Sequence, residues 1–133
     1  VRGALGIEPF ELTCPTVDTP DGTPIRDYID VEDLIDAHVK AYEVLSDGHD
    51  NLIVNLGNGA GWSVREIISE VERELEVQLP EKKGVSRKGE YAQVYANLTK
   101  AKKLLGWEPH KSLSESIQSL VRWYRNYPEG YKE

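Results

Sequence analysis

The chain has 133 residues, of which 39% are hydrophobic and 29% charged, a balance typical of one compact globular domain. Its formal net charge of -7 argues against general binding to nucleic acid or to anionic membranes, which basic surfaces attract. A single cysteine excludes an intrachain disulfide and favours a cytoplasmic setting. No apolar run approaches the roughly 20 residues that a membrane helix needs.

The amino-terminal part of the sequence predicts a loop, a short strand and a helix. The segment TCPTVDTPDGT is rich in turn-forming residues, and IRDYI has the composition of a strand. Asp30 is placed to cap a helix that ends near Gly48. The apolar residues of this helix recur on one face: Val31, Leu34, Ile35, His38, Ala41, Tyr42 and Leu45.

The middle of the sequence predicts a buried strand, a turn and a second helix. NLIVNLG is a nearly continuous apolar run with β-branched residues, which is typical of a strand in a parallel sheet. The glycine-rich GNGAGW follows as a turn, and Ser63 with Glu66 forms a capping box. The stripe of the second helix consists of Val64, Ile67, Ile68, Val71 and Leu75.

The remaining segments complete a mixed α/β pattern. VQLP and YAQVYA are candidate short strands, separated by the polar, glycine-containing loop EKKGVSRKGE. Asn97 is placed to cap a short helix that ends at Gly106. Ser112 and Glu115 form another capping box before a last helix, which Pro128 stops. The sequence therefore predicts an α/β fold with short strands and about four helices.

Few residues have a spacing that indicates catalysis or metal binding. The turn LGNGAGW has the context of a dinucleotide motif, but Trp62 replaces the third glycine, which favours a plain turn before a helix. His38, His49 and His110 lack metal-ligand spacing, and His38 is predicted to be a core or boundary residue. Cys14 is predicted to be a structural thiol. No tyrosine is followed four residues later by lysine.

Two arginines, Arg26 and Arg87, remain as candidate ligand-binding residues. The planar guanidinium binds two phosphate oxygens at once and keeps its charge when partly buried. The alternative is structural: a surface ion pair between Arg26 and Asp27, and a solvated charge for Arg87. The residues alone leave both interpretations open.

Four segments, in the same order, resemble the UDP-glucose 4-epimerases, which are extended short-chain dehydrogenases/reductases. They are DGTPIRDYIDVEDLIDAHVKA, NLGNGAGWSVREII, SRKGEYAQVYANLTKAKKLLGW and YPEGY. They cover residues 20–131 and are similar to the family's carboxy-terminal part. The resemblance implies one domain over residues 1–133, a UDP-sugar-binding lobe without the amino-terminal Rossmann half.

The resemblance also implies roles for four residues. Arg26 and Arg87 contact the diphosphate of the UDP-sugar, Glu90 holds the ribose, and Val94 lies beside the sugar or uridine. The family interconverts UDP-glucose and UDP-galactose through a 4-keto intermediate with NAD. Because the family's NAD-binding loop and catalytic tyrosine–lysine pair have no counterpart here, we expect the chain alone to bind no NAD and to be inactive.

The expected partners are a UDP-sugar and either a second copy of the chain or a separate amino-terminal half. Neither nucleic acid nor a membrane is expected as a partner. Two other functions stay open at this point. One is a stand-alone nucleotide-sugar-binding module, and the other is an interaction module derived from the same family.

Overall fold

The computed structural model describes residues 1–80, 82, 84 and 89–131. Within these ranges the chain forms four helices and three short strands, which confirms the predicted α/β class. In chain order they are β1 (Ile25–Asp27), α1 (Val31–Ser46), β2 (Gly61–Ser63), α2 (Val64–Leu75), β3 (Gln93–Val94), α3 (Thr99–Leu105) and α4 (Leu113–Asn126). The chain divides into two compact units, 1–24 with 63–92 and 112–133, and 25–62 with 93–111.

The first unit is built around the packing of α2 against α4. Both helices begin with the predicted capping boxes, Ser63 with Glu66 and Ser112 with Glu115. In each box the serine oxygen and the glutamate carboxylate accept backbone N–H groups that the first turn leaves unpaired. The stripes of the two helices meet in a small buried core of Val71, Ile117 and Val121.

The second unit packs α1 against α3 around the fully buried side chain of Trp107. Ala37 of α1 and Ala101 of α3 are both fully buried, and such small residues let helices pack closely. Asp30 caps α1 as predicted, since its carboxylate accepts the Glu32 N–H at 2.8 Å. The core of this unit therefore lies between α1 and α3.

Most of the apolar residues predicted on one face of α1 are exposed. Ile35 is 58% exposed and Tyr42 73%, whereas Asp33 and Ala37 on another face are fully buried. His38 is exposed too, with Nδ1 2.7 Å from the Leu34 carbonyl oxygen, so of the two predicted positions, core or boundary, the core is excluded. The periodicity identified an apolar face, but α3 packs on a different one.

The predicted strand NLIVNLG is wrong for this structure. Residues 51–56 form no strand, and Ile53 is 82% exposed. Leu52, Val54 and Leu56 pack on the core of the second unit, so the segment is covered on one side only. A buried parallel strand needs hydrogen-bonded neighbours and cover on both faces, and the described residues do not supply them. VQLP likewise forms no strand.

The strands form one sheet in the order β2-β1-β3, and β1 pairs with β3 in parallel. The predictions for IRDYI and YAQVYA are confirmed over Ile25–Asp27 and Gln93–Val94. Leu98 rather than Asn97 is the residue before α3, although the Asn97 side chain accepts the Thr99 N–H at 2.9 Å. Gly106 ends α3 with φ +61°, a conformation that favours glycine. In the described ranges every helix is too short or too polar to span a membrane.

Candidate functional site

The structure places Arg26 and Val94 side by side on one face of the sheet. They are register partners in the parallel β1–β3 pair, and partners in register point to the same face. Both line an open groove of about 550 Å³ together with Val54, Leu56 and Tyr95. Arg26 is half-buried, and Val94 is 51% exposed. A permanent positive charge therefore lies next to an accessible apolar side chain.

The guanidinium of Arg26 is held close to its own strand. Its Nη1 donates a hydrogen bond to the Ile25 carbonyl oxygen at 2.7 Å. This bond orients the guanidinium along β1. Such an orientation suits recognition of an anion with several oxygens, such as a phosphate.

Asp27 has a role that differs from the ion pair considered for it. Its carboxylate accepts hydrogen bonds from backbone N–H groups of Asn58 at 2.6 Å, Gly59 at 3.3 Å and Ala96 at 2.9 Å. The donors come from two segments far apart in sequence. Asp27 is the third residue of the strand that follows the DGT turn. Nothing in this local sequence indicates that its carboxylate would accept backbone N–H groups, so sequence reasoning missed this role.

The other two expected site residues are placed differently. Glu90 belongs to the first compact unit and is half-buried there. Arg87 lies outside the described residues. The structure thus brings Arg26 together with Val94, and the roles of Arg87 and Glu90 stay predictions.

The glycine-rich turn does not fit a nucleotide cradle. A Cβ on Gly57 would lie 2.7 Å from Asp27 Cγ and 2.8 Å from Ala96 Cβ, and one on Gly59 would lie 2.8 Å from Leu98 Cδ1. The space next to both glycines is therefore filled by this chain's own side chains. Since a dinucleotide motif uses its glycines to let the pyrophosphate approach, we derive no NAD contact from this turn.

A second cavity, of about 250 Å³, lies in the first unit beside the DGT turn. Asp21 organises it: its carboxylate accepts hydrogen bonds from the Thr23 N–H at 2.8 Å, the Thr23 hydroxyl and the Ser63 hydroxyl. Burial raises the pKa of Asp21, but these hydrogen bonds and the charge of Arg65 outweigh it, so the pKa lies below its ordinary value. Cys14 lines the same cavity as a half-buried free thiol.

Metal binding finds no support in the part of the chain that the structure describes, where no three His, Cys, Asp or Glu side chains cluster. His110 pairs instead with the buried carboxylate of Asp33, at 2.7 Å from Nδ1 to Oδ1. Asp33 also accepts the backbone N–H groups of His110 and Lys111. This arrangement joins α1 to the segment after α3 and has a structural role.

Known proteins match both the sequence and the fold of this chain. Residues 6–57 match the model of the NAD dependent epimerase/dehydratase family. The chain is 36% identical over 125 residues to a UDP-glucose 4-epimerase of Lactobacillus helveticus, covering 93% of this chain and 38% of that protein. A crystal structure of a UDP-glucose 4-epimerase superposes with a TM-score of 0.91 at 36% identity, over 99% of this chain and 41% of that one. The Bifidobacterium longum enzyme in complex with NAD⁺ and UDP superposes with a TM-score of 0.85 at 34% identity, covering 98% of this chain and 39% of that one.

The chain is therefore similar to UDP-glucose 4-epimerases over nearly its whole length, and residues 6–57 are similar to the NAD dependent epimerase/dehydratase family. It fits a carboxy-terminal fragment of a UDP-glucose 4-epimerase, as the four sequence segments predicted. It spans about 38–41% of the length of the relatives named above.

Proposed function

We propose that this chain is the UDP-sugar-binding portion of a UDP-glucose 4-epimerase-like enzyme. The observation that carries the proposal is the placement of Arg26 beside Val94 in the groove along β1 and β3. One related enzyme has been solved in complex with NAD⁺ and UDP, and it superposes on nearly the whole of this chain. The complete enzyme would interconvert UDP-glucose and UDP-galactose through a 4-keto intermediate.

Each proposed site residue has a physical reason for its role. The guanidinium groups of Arg26 and Arg87 each match two oxygens of a diphosphate and bring positive charge to an otherwise acidic chain. Glu90 would accept hydrogen bonds from ribose hydroxyl groups, because an ionised carboxylate is an acceptor only. Val94 offers apolar contact beside the sugar or uridine. Residues 1–133 would then act as one UDP-sugar-binding lobe.

In the complete enzyme, bound NAD supplies the acceptor and donor for the sugar hydride. The residues of this chain bind and orient the UDP end of the substrate, so their contribution is positioning and charge stabilisation. We expect the chain alone to bind no NAD and to have no epimerase activity. A stand-alone nucleotide-sugar-binding or interaction module remains the alternative, and a cytoplasmic location accords with either.

A calorimetric or NMR titration of UDP into the chain tests the proposal. We expect weak binding, on the order of millimolar, because such an affinity corresponds to only about 4 kcal/mol. A charge-assisted hydrogen bond contributes about 1.5–3 kcal/mol, so Arg26→Ala should weaken binding about tenfold or more. Arg26→Lys should recover part of the loss, because lysine keeps the charge without the planar fork.

Arg122→Ala is the matched control, because Arg122 is an exposed residue of α4 in the other compact unit. It removes the same charge from the chain and should leave UDP binding unchanged. If Arg26→Ala and Arg122→Ala bind UDP as tightly as the parent, Arg26 has no role in the site. If the parent binds no UDP, the chain alone is not a nucleotide-sugar-binding module.

The exposed stripe of α1 supports a proposal about partners. Val31, Ile35, Val39 and Tyr42 are each more than half exposed and recur at helical spacing. Exposed apolar surface of this kind marks association sites. We propose that this stripe binds either a second copy of the chain or a separate amino-terminal half.

Sedimentation velocity over a range of concentrations tests this association. We expect the parent chain to dimerise and Val39→Lys to shift the equilibrium toward monomer, because the stripe would then bury a charge. Ser46→Lys adds the same charge at an exposed polar position of the same helix and serves as the control. A strictly monomeric parent would leave the amino-terminal half as the partner. Equal dimerisation of all three proteins would place the interface elsewhere.

A further inference from the structure

The carboxylate of Asp27 connects three separate segments of the second unit. It lies on β1 next to Arg26, and it accepts N–H groups from the turn after residue 56 and from the residues after β3. Oδ1 accepts from Asn58, while Oδ2 accepts from Gly59 and Ala96. Hydrogen bonds to a charged acceptor are stronger than those between neutral groups, so this carboxylate is a firm attachment point.

The position of these bonds matters for the groove. Ala96 comes two residues after Val94, and Asp27 comes one residue after Arg26, so the bond from Ala96 to Asp27 fixes the end of β3 against the end of β1. Gly57 packs against the same carboxylate, since a Cβ there would lie 2.7 Å from Asp27 Cγ. Real Cβ atoms essentially never come so close, so the carboxylate has no free space on that side.

We propose that Asp27 is a positioning residue for UDP-sugar binding: its carboxylate joins the turn Gly57–Gly59 and the Ala96 backbone to β1, and so keeps Arg26 aligned with Val94 in the groove. The inference rests on the proposed function. The change in UDP binding expected on removal of the Asp27 charge is opposite in sign to the one that simple electrostatics predicts. A negative charge next to a diphosphate site repels the ligand, so its removal alone would strengthen UDP binding. Loss of the alignment between Arg26 and Val94 would instead weaken UDP binding.

The experiment compares two variants that disturb the carboxylate in different ways. Asp27→Asn removes the charge and brings an amide N–H₂ against backbone N–H donors. Gly57→Ala keeps the charge and displaces the carboxylate by steric contact. Both should weaken UDP binding at least about tenfold, the loss of one charge-assisted contact. Asp50→Asn removes the same charge from an exposed position of the same unit and should leave binding unchanged.

Two further measurements separate positioning from a general structural role. In the Arg26→Ala background, Asp27→Asn should cause little additional loss, because the residue acts through Arg26. In the ligand-free proteins, ¹H–¹⁵N spectra of both variants should show shifts of the Arg26 Nε–H and Val94 amide signals. Signals of α2 and α4, which lie in the other unit, should stay in place.

The outcomes distinguish this inference from the proposed function. If the parent binds UDP and both variants bind it equally well or more tightly, Asp27 does not position the site, and the proposed function still holds. Additive losses in the Arg26→Ala background also overturn the inference. If the parent binds no UDP, the proposed function for the chain fails and the inference fails with it.

Discussion

Helices α1 and α4 have similar length and each has an apolar face, yet they bury these faces to very different extents. In α4, Ile117 and Val121 are 4% and 3% exposed. In α1, Ile35 and Val39 are 58% and 51% exposed. The difference lies in the available partner: α2 covers the stripe of α4, whereas α3 packs on another side of α1. Periodicity shows that a helix has an apolar face, and only the fold shows what covers it.

The buried side of α1 is chemically unlike the buried side of α4. It contains Ala37, which leaves room for a close neighbour, and Asp33, whose carboxylate is fully buried. Burying a charge is costly unless hydrogen bonds compensate. Asp33 has three such contacts, from the backbone N–H groups of His110 and Lys111 and from the His110 ring. The second unit thus depends on a satisfied polar group, while the first depends on aliphatic packing.

The largest expected difference comes from the same substitution on the two helices. Ile117→Ala should lower the free energy of unfolding by about 2–4 kcal/mol, because it removes buried methyl groups and leaves a cavity. At protein concentrations low enough to keep the chain monomeric, Ile35→Ala should change it by no more than about 0.5 kcal/mol, since the side chain is then largely exposed. Urea denaturation followed by circular dichroism measures both.

A large loss of stability in Ile35→Ala, comparable to that in Ile117→Ala, would show that the stripe of α1 is already covered in solution. The concentration dependence of the denaturation midpoint would then identify the cover. A second copy makes the midpoint rise with protein concentration, whereas cover from within the chain does not.

A smaller effect is expected from Asp33. Asp33→Asn keeps the size of the side chain but replaces one acceptor oxygen by a donor, which then faces a backbone N–H. One buried hydrogen bond is lost and its partner is left unpaired, at a cost of about 1–3 kcal/mol. Asp50→Asn, at an exposed site of the same unit, should have almost no effect on the unfolding midpoint. Equal stability of the two variants would mean that Asp33 contributes nothing to α1 packing.

The sequence predicted the features that depend on local chemistry. Both capping boxes, the Asp30 cap and the Gly106 helix end follow from side-chain and backbone rules within one turn. The prediction for NLIVNLG was wrong because a strand exists only with a hydrogen-bonded neighbour, which composition cannot supply. The core position considered for His38 was wrong for a similar reason, since burial depends on the partner.

In the candidate site, too, the features that depend on distant parts of the chain were not predictable from local chemistry. Arg26 was a candidate from its residue type, whereas Val94 was chosen only through the family resemblance. Their alignment in the groove follows from strand register that no local pattern gives. Asp27 was considered only as an ion-pair partner, because its donors lie 31, 32 and 69 residues away in the sequence. Long-range hydrogen bonds to backbone N–H groups have no side-chain partner that a sequence could reveal.

The smallest expected effect concerns the entry to α2 and is visible only in acid. The folded-state pKa of Asp21 lies below its ordinary value of 3.8 because hydrogen bonds from Ser63 and Thr23, with the charge of Arg65, outweigh the opposing effect of burial. Its contribution to stability is therefore present above pH 3.8 and is lost as the pH falls through the folded-state pKa.

Asp21→Asn should cost about 0.5 kcal/mol or less at pH 7, because the side chain is largely exposed. The difference from the parent should shrink as the pH falls from 5 to about 2.5. Asp18→Asn, at an exposed position of the same loop, removes the same charge and is the control variant. Urea titrations at several pH values measure both variants against the parent. A difference that grows in acid would mean that the Asp21 carboxylate is not stabilised by Ser63, the residue that caps α2, and that α2 relies on its capping box and its packing against α4 alone.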